Sequence, residues 1–173
     1  MSKKILVTYA SRLGSTAGVA GVIGKILMDC GEQVDIIPIT EIKNIDSYEA
    51  VVLGSSIRDQ AWLPEAVQFV QANKTSLSKK PFAAFLVCRT LAMPDGEKYR
   101  QQVSTWFEPV RALVRPVREG LFAGDLDISK VESFAVRLKF RLSVFFGLGS
   151  EGDHRDWKAI RAWAREIHPY MVA

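Results

Sequence analysis

The residues best suited to chemistry lie in one turn near the start of the chain, Thr8–Thr16, between an apolar strand-like run and a long helical pattern. In such an arrangement the first helical N–H groups lack intrahelical partners, and the helix dipole gives them partial positive charge. The hydroxyls of Ser11, Ser15 and Thr16 add hydrogen-bond donors, and Gly14 lets the backbone approach an anion closely. The turn therefore predicts a site for a phosphorylated ligand.

The composition of the same turn narrows the ligand. It contains neither GxxxxGK[ST] nor GxGxxG, which argues against a P-loop nucleotide site and a dinucleotide site. No lysine is present to balance a di- or triphosphate, so hydroxyls and amides suit a monophosphate such as that of FMN. The alternative is an ordinary turn in which Ser11 or Ser15 caps the helix, and the spacing supports both readings equally.

Composition indicates a single domain over residues 1–173, with 48% hydrophobic and 24% charged residues. Cys30 and Cys88 do not have the spacing of a disulfide or of a metal site, as is typical of proteins in a reducing compartment. The sequence also shows no signal peptide and no membrane-spanning run, so a cytoplasmic location is expected. His154 and His168 are not spaced as a helical ligand pair, so no metal site is expected. The net charge of +4 is not gathered on a recognisable reading element, which argues against nucleic-acid binding.

Strand-like and helix-like stretches alternate along the chain, which predicts a five-stranded parallel sheet with helices on both faces. Ligands of such sheets bind beyond the carboxyl ends of the strands, here in loops 9–16, 54–63 and 88–95. The predicted strands are Lys4–Thr8, Gln33–Ile39, Ala50–Gly54, Pro81–Val87 and Val117–Ala123. The predicted helices are Ser15–Asp29, Pro64–Ala72, Asp95–Val114, disturbed at Pro109, and Asp156–Tyr170.

These loops resemble those of flavodoxin-like FMN proteins over nearly the whole chain. The first, Ser11–Thr16, reads S-R-x-G-x-T, and the second, Gly54–Arg58, reads G-x-S-I-R. Together with an insertion at 125–152 and the Asp156-Trp157 start of the last helix, they are similar to the quinone-dependent, oxygen-independent protoporphyrinogen oxidases of bacteria. The resemblance implies a flavodoxin-like α/β fold with strand order 2-1-3-4-5, FMN as cofactor, and oxidation of protoporphyrinogen IX in haem biosynthesis with a quinone as acceptor.

The residues expected to bind FMN belong to the three loops and the start of the following helix. They are Ser11, Arg12, Leu13, Gly14, Ser15, Thr16, Ser55, Ser56, Ile57, Arg58, Trp62, Cys88, Arg89, Thr90 and Leu91.

Several of these residues have a second interpretation. Arg58 is a candidate for stabilising an anionic reduced flavin, or it is a surface residue with its charge in water. Trp62 either stacks on the flavin ring or packs at the start of the next helix. Cys88 ends a buried strand and is expected to be an inert thiol. No Ser-His-Asp set, Cys-His pair or carboxylate dyad is evident, so no catalytic residue is assigned beyond Arg58.

The insertion contains a basic, aromatic-rich helical pattern over 131–146, with Phe134 and Leu138 on one face and Arg137 and Arg141 on another. Such a helix fits a peripheral contact with the inner face of the cell membrane, or closure over a lipophilic substrate. It fits equally well a helix packed on its own domain or in a homodimer interface.

The alternative function is a flavodoxin-type carrier of single electrons between protein partners, which shares the fold and the cofactor. The basic charge and the long insertion favour the oxidoreductase. A third interpretation is an interaction module that has lost its flavin site.

Overall fold

The computed structural model describes residues 1–126, 138 and 152–173. The sheet strands are β1 Lys4–Ala10, β2 Gln33–Pro38, β3 Ala50–Arg58, the short β4 Ala61–Trp62, β5 Phe82–Cys88 and β6 Glu119–Ala123. The long strands are parallel in the order β2-β1-β3-β5-β6, and β4 pairs with β3. With β4 set aside, this is the predicted order 2-1-3-4-5, so the flavodoxin-like fold is confirmed.

Helices cover both faces of the sheet because the long strands are apolar on both sides. On one face α1 Ser15–Asp29 packs with the last helix, and α2 Pro64–Ala72, α3 Lys74–Leu77, α4 Arg100–Thr105 and α5 Glu108–Arg111 lie on the other. The last helix, α6, spans Trp157–Met171, and the Asp156 carboxylate caps it by accepting from the Ala159 N–H at 2.9 Å. The predicted helices at 15–29 and 64–72 have these same bounds.

The predicted single helix Asp95–Val114 is wrong. The chain instead forms a 3₁₀ turn at Gly96–Tyr99, then α4, a break, and α5. Pro109 lies in the first turn of α5, where its missing N–H is not needed. Pro109 has no N–H to donate to the Thr105 carbonyl, so the helix is interrupted before it. Phe107, in the interruption, is fully buried.

The two ends of the predicted insertion lie side by side. β7 Asp125–Leu126 pairs antiparallel with β8 Gly152–Asp153, with Asp125 opposite Asp153. The predicted helix 131–146 falls outside the described residues except for Leu138, which is helical and 48% exposed. No helix among the described residues is long and apolar enough to cross a membrane.

Candidate functional site

The three predicted ligand loops meet at one edge of the sheet, because β1, β3 and β5 are neighbours. In the register of these strands Ala10 lies beside Ser55, and Ser56 lies beside Val87. The carboxyl ends of the three strands are therefore level with one another. This carboxyl edge of β1, β3 and β5, the ligand edge, is the place where a parallel sheet of this class binds its ligand.

The first loop leaves the amino end of α1 open to a ligand. Gly14 is the N-cap residue, in the left-handed region at φ 87°, and no side chain caps the helix in the part of the chain that the structure describes. Ser11 instead accepts a hydrogen bond from the Gly14 N–H at 3.1 Å. Neither Ser11 nor Ser15 is the N-cap, so the ordinary capping alternative is not what the structure shows. The first N–H groups of α1 remain available for an anion.

Three buried hydroxyls have no hydrogen-bond partner among the described residues: Oγ1 of Thr8 in β1, and Oγ1 of Thr16 and Oγ of Ser56 in the first two predicted loops. Thr16 is fully buried in the first turn of α1, and Ser56 lies near the end of β3. Buried polar groups are nearly always paired, and an unsatisfied one costs about 1–3 kcal/mol. The Thr16 hydroxyl, close to the open helix amides, fits a phosphate oxygen. The residues present therefore fit the phosphate monoester of FMN.

Arg12 and Ser55, in contrast, already have partners within the protein. The Arg12 guanidinium pairs with the Glu65 carboxylate of α2, with Nη1–Oε1 at 2.5 Å and Nη2–Oε2 at 3.0 Å. The Ser55 hydroxyl accepts from the Leu63 N–H at 3.1 Å and donates to the Ser56 carbonyl at 2.8 Å. Leu13, between Arg12 and the helix, is 38% exposed.

The predicted second loop is largely a β-hairpin. β3 continues to Arg58, beyond its predicted end at Gly54, because Arg58 pairs with Ala61 across a two-residue turn. Asp59 and Gln60 in that turn have φ of 50° and 62°, as a type I′ turn requires. The Arg58 side chain is 71% exposed and lies 3.9 Å from the Asp59 carboxylate. The hairpin therefore presents a solvent-exposed guanidinium beside the ligand edge.

Trp62 is a core residue in this structure. It is 3% exposed and packs edge-on against Phe107, with ring centroids 5.3 Å apart. Its Nε1 has no hydrogen-bond partner among the described residues. Of the two alternatives drawn from the sequence, packing at the start of the next helix is what the structure shows, and stacking on the flavin stays a prediction.

The third loop starts from a buried thiol. Burial raises the pKa of Cys88 to about 11, so the sulfur is protonated at neutral pH and a poor nucleophile. Arg89 is partly buried, and desolvation lowers its pKa. Thr90 and Leu91 begin a 3₁₀ turn and are half-buried next to the ligand edge.

The segment after β6 also reaches the ligand edge. The Gly124 N–H donates to the Cys88 carbonyl at 3.1 Å, and the Asp125 N–H donates to the Ser15 hydroxyl at 2.8 Å. Neither contact was predicted from the sequence. The feature that could have indicated them is Gly124, which directly follows the fifth predicted strand, because that strand ends at the same edge of the sheet.

An arginine near the start of α6 joins this segment to α1. Arg155 donates from Nε and Nη2 to Asp153 at 2.7 and 2.8 Å, and its guanidinium lies 4.4 Å from the Trp157 ring centre. These hydrogen bonds are the main reason that the pKa of Asp153 falls to about 2. A Cβ atom on Gly18 of α1 would lie only 2.6 Å from Arg155 Nη1.

Comparison with known proteins agrees with this fold. The model of the family described as a flavodoxin domain matches residues 6–144. Protoporphyrinogen IX dehydrogenase [quinone] of Escherichia coli strain K12 is 27% identical over 95% of this chain and 94% of its own length. The protein of the same name from Leishmania major is 27% identical over 99% of this chain and 78% of its own. A solved flavodoxin from the domain Archaea superimposes with a TM-score of 0.60 at 17% identity, covering 98% and 99% of the two chains.

Proposed function

We propose, from the premise that this chain belongs to the flavodoxin-domain family, that it oxidises protoporphyrinogen IX and passes the electrons to a quinone. As a member of that family it binds FMN and takes part in redox reactions. The proposed substrate and electron acceptor are those in the names of relatives whose sequences align with 95% or more of this chain. The observation that carries the cofactor assignment is the buried Thr16 hydroxyl at the open end of α1, which has no hydrogen-bond partner among the described residues.

Each loop has a distinct task in this proposal. The amides at the start of α1 and the hydroxyls of Ser11, Ser15 and Thr16 hold the phosphate. Ser56 and Ile57 at the end of β3, with Thr90 and Leu91 of the third loop, would line the position of the ring system. When bound, FMN supplies the ability to accept reducing equivalents from the substrate and deliver them to the quinone.

The exposed Arg58 is proposed to act on the electrostatics of the site. Its positive charge at the hairpin favours a negative charge in the neighbouring ligand, because opposite charges nearby stabilise the charged form. The side chain is 71% exposed, so solvent screens this effect and its contribution is modest. Cys88 takes no part in the chemistry, since its thiol is buried and protonated.

We further propose that the quinone is reached at the inner face of the cell membrane of a cytoplasmic protein, through the basic and aromatic segment 131–146. Apart from Leu138, that segment lies outside the described residues, so this part rests on its sequence pattern. The homodimer interface remains the competing use of the same segment. Flotation with and without anionic vesicles, together with the mass in solution, separates the two uses.

The test of the function is porphyrin formation by the FMN-loaded chain. Protoporphyrinogen IX and a menaquinone analogue are supplied without oxygen, and porphyrin fluorescence is followed. We expect turnover that requires both FMN and the quinone. Thr16→Val, which keeps the shape of the side chain and removes its hydroxyl, is expected to weaken FMN binding by roughly tenfold, as for loss of a hydrogen bond to a charged group.

Absence of porphyrin with FMN bound would refute the proposal. Reduction of a one-electron acceptor protein by the same sample would then favour the flavodoxin-type electron carrier. Thr16→Ser is the matched control, because it keeps the hydroxyl.

A further inference from the structure

The ion pair of Arg12 and Glu65 connects the phosphate loop to α2. Both terminal nitrogens of the guanidinium contact the two carboxylate oxygens, at 2.5 and 3.0 Å, which is the two-point geometry of a strong arginine–carboxylate pair. Glu65 lies in the first turn of α2, where the helix dipole stabilises a carboxylate. The side chains are 52% and 27% exposed, so the pair lies at the surface of the ligand edge.

The start of α2 is in turn fixed to the end of β3. The Leu63 N–H, one residue before α2, donates to the fully buried Ser55 hydroxyl. Ser55 lies beside Ala10, the last residue of β1, in the strand register. Short contacts therefore run from Arg12 through Glu65 and Leu63 to the strand end that carries the second loop.

We propose that Arg12 is a positioning residue and not a phosphate ligand: through Glu65 it fixes the phosphate loop relative to the second loop. The role rests on the proposed function, since it assumes that these two loops hold FMN. Both terminal nitrogens of the only cation in Ser11–Thr16 are engaged by Glu65. Binding of the phosphate is left to the α1 amides and to hydroxyls such as that of Thr16.

The two possible roles of Arg12 predict effects of opposite sign for a change at Glu65. If Arg12 positions the loop, Arg12→Gln and Glu65→Gln break the same contact and both weaken FMN binding. If Arg12 binds the phosphate, Glu65→Gln frees the arginine and removes a nearby negative charge, so FMN binding is unchanged or tighter. The dissociation constant of FMN, measured by quenching of its fluorescence, distinguishes these cases without any turnover.

We expect Arg12→Gln and Glu65→Gln each to raise the dissociation constant by roughly two- to fivefold, the range for a partly exposed ion pair. The double variant is expected to bind FMN no less tightly than whichever single variant has the higher dissociation constant, because the shared contact is lost only once. The matched control is Glu166→Gln, which breaks another arginine–glutamate pair, with Arg118, at 3.2 Å. That pair lies just before β6, at the opposite end of the sheet, so FMN affinity should not change.

Unchanged or tighter binding in Glu65→Gln, with a loss above tenfold in Arg12→Gln, would overturn the positioning role and make Arg12 a phosphate ligand. Additive losses in the double variant would overturn it as well. Thermal unfolding of each FMN-free variant checks that the fold is intact. Failure of the wild-type chain to bind FMN would refute the proposed function itself, whereas wild-type binding with insensitive variants would refute only the role of Arg12.

Discussion

Two glycines of α1 provide a matched test of the packing between α1 and the start of α6. A Cβ on Gly21 would have no atom within 4 Å, whereas a Cβ on Gly18 would lie 2.6 Å from Arg155 Nη1. Alanine is favoured over glycine in a helix interior by about 1 kcal/mol. Gly21→Ala is therefore expected to raise the free energy of unfolding by about 1 kcal/mol and the midpoint by about 2–4 °C.

Gly18→Ala gains the same helix propensity but displaces the guanidinium of Arg155. That side chain is only 15% exposed, so its hydrogen bonds to Asp153 and its stacking on Trp157 are lost without much compensation from water. The loss of an ion pair and a cation–π contact is about 1–2 kcal/mol. Gly18→Ala should therefore be no more stable than wild type, and about 1–2 kcal/mol less stable than Gly21→Ala.

Urea unfolding of the two variants and of their combinations with Arg155→Ala measures this difference. In the Arg155→Ala background the obstructing side chain is absent, so Gly18→Ala should recover the full gain seen at Gly21. Equal stabilisation by both alanines in the wild-type background would refute the reasoning. It would mean that Arg155 moves aside without losing its contacts.

Three further predictions concern single side chains. The pKa of Asp153 is lowered from 3.8 to about 2 by Arg155, so its contribution to stability is present above about pH 4 and lost as the pH falls through about 2. The difference in urea midpoint between wild type and Asp153→Asn should shrink over that window, and a constant difference would contradict the assignment. Cys30 is exposed, whereas Cys88 is buried and has a pKa of about 11. A disulfide reagent at pH 8 should therefore react with one thiol in the folded chain and with two in urea. Rapid reaction of both thiols in the folded chain would contradict this. Phe107→Ala should lower the free energy of unfolding by about 3–5 kcal/mol, because Phe107 is fully buried against Trp62, and a loss below about 1 kcal/mol in denaturant titrations would show that the site refills.

The regular elements of this fold could be predicted from local pattern. β1 and α1 were predicted from an apolar run followed by apolar residues at helical spacing, and α1 has its predicted bounds. The predicted helix at 95–114 is wrong because Pro109, expected only to disturb it, interrupts it. Phe107 in the interruption packs against Trp62, which belongs to a distant part of the sequence. Local periodicity carries no information about such a contact.

Part of the candidate site could also be predicted from the sequence. The positions of the three loops follow from strand order, so their meeting at one edge of the sheet could be predicted. The individual contacts did not follow, because Arg12 meets Glu65 across 53 positions and Ser15 meets Asp125 across 110. Residue type alone gives Arg12 and Thr16 the same expected role. Only the spatial arrangement shows that the guanidinium is paired with Glu65, whereas the hydroxyl has no partner within the described part of the chain.

The pairing of β7 with β8 brings together the two ends of the chain between them. Because Asp125 lies opposite Asp153, the two ends of that segment leave the domain at neighbouring points, whatever its length. Lengthening a closed loop costs little, about 0.6 kcal/mol for each doubling. Insertions or deletions between β7 and β8 are therefore expected to change the free energy of unfolding little.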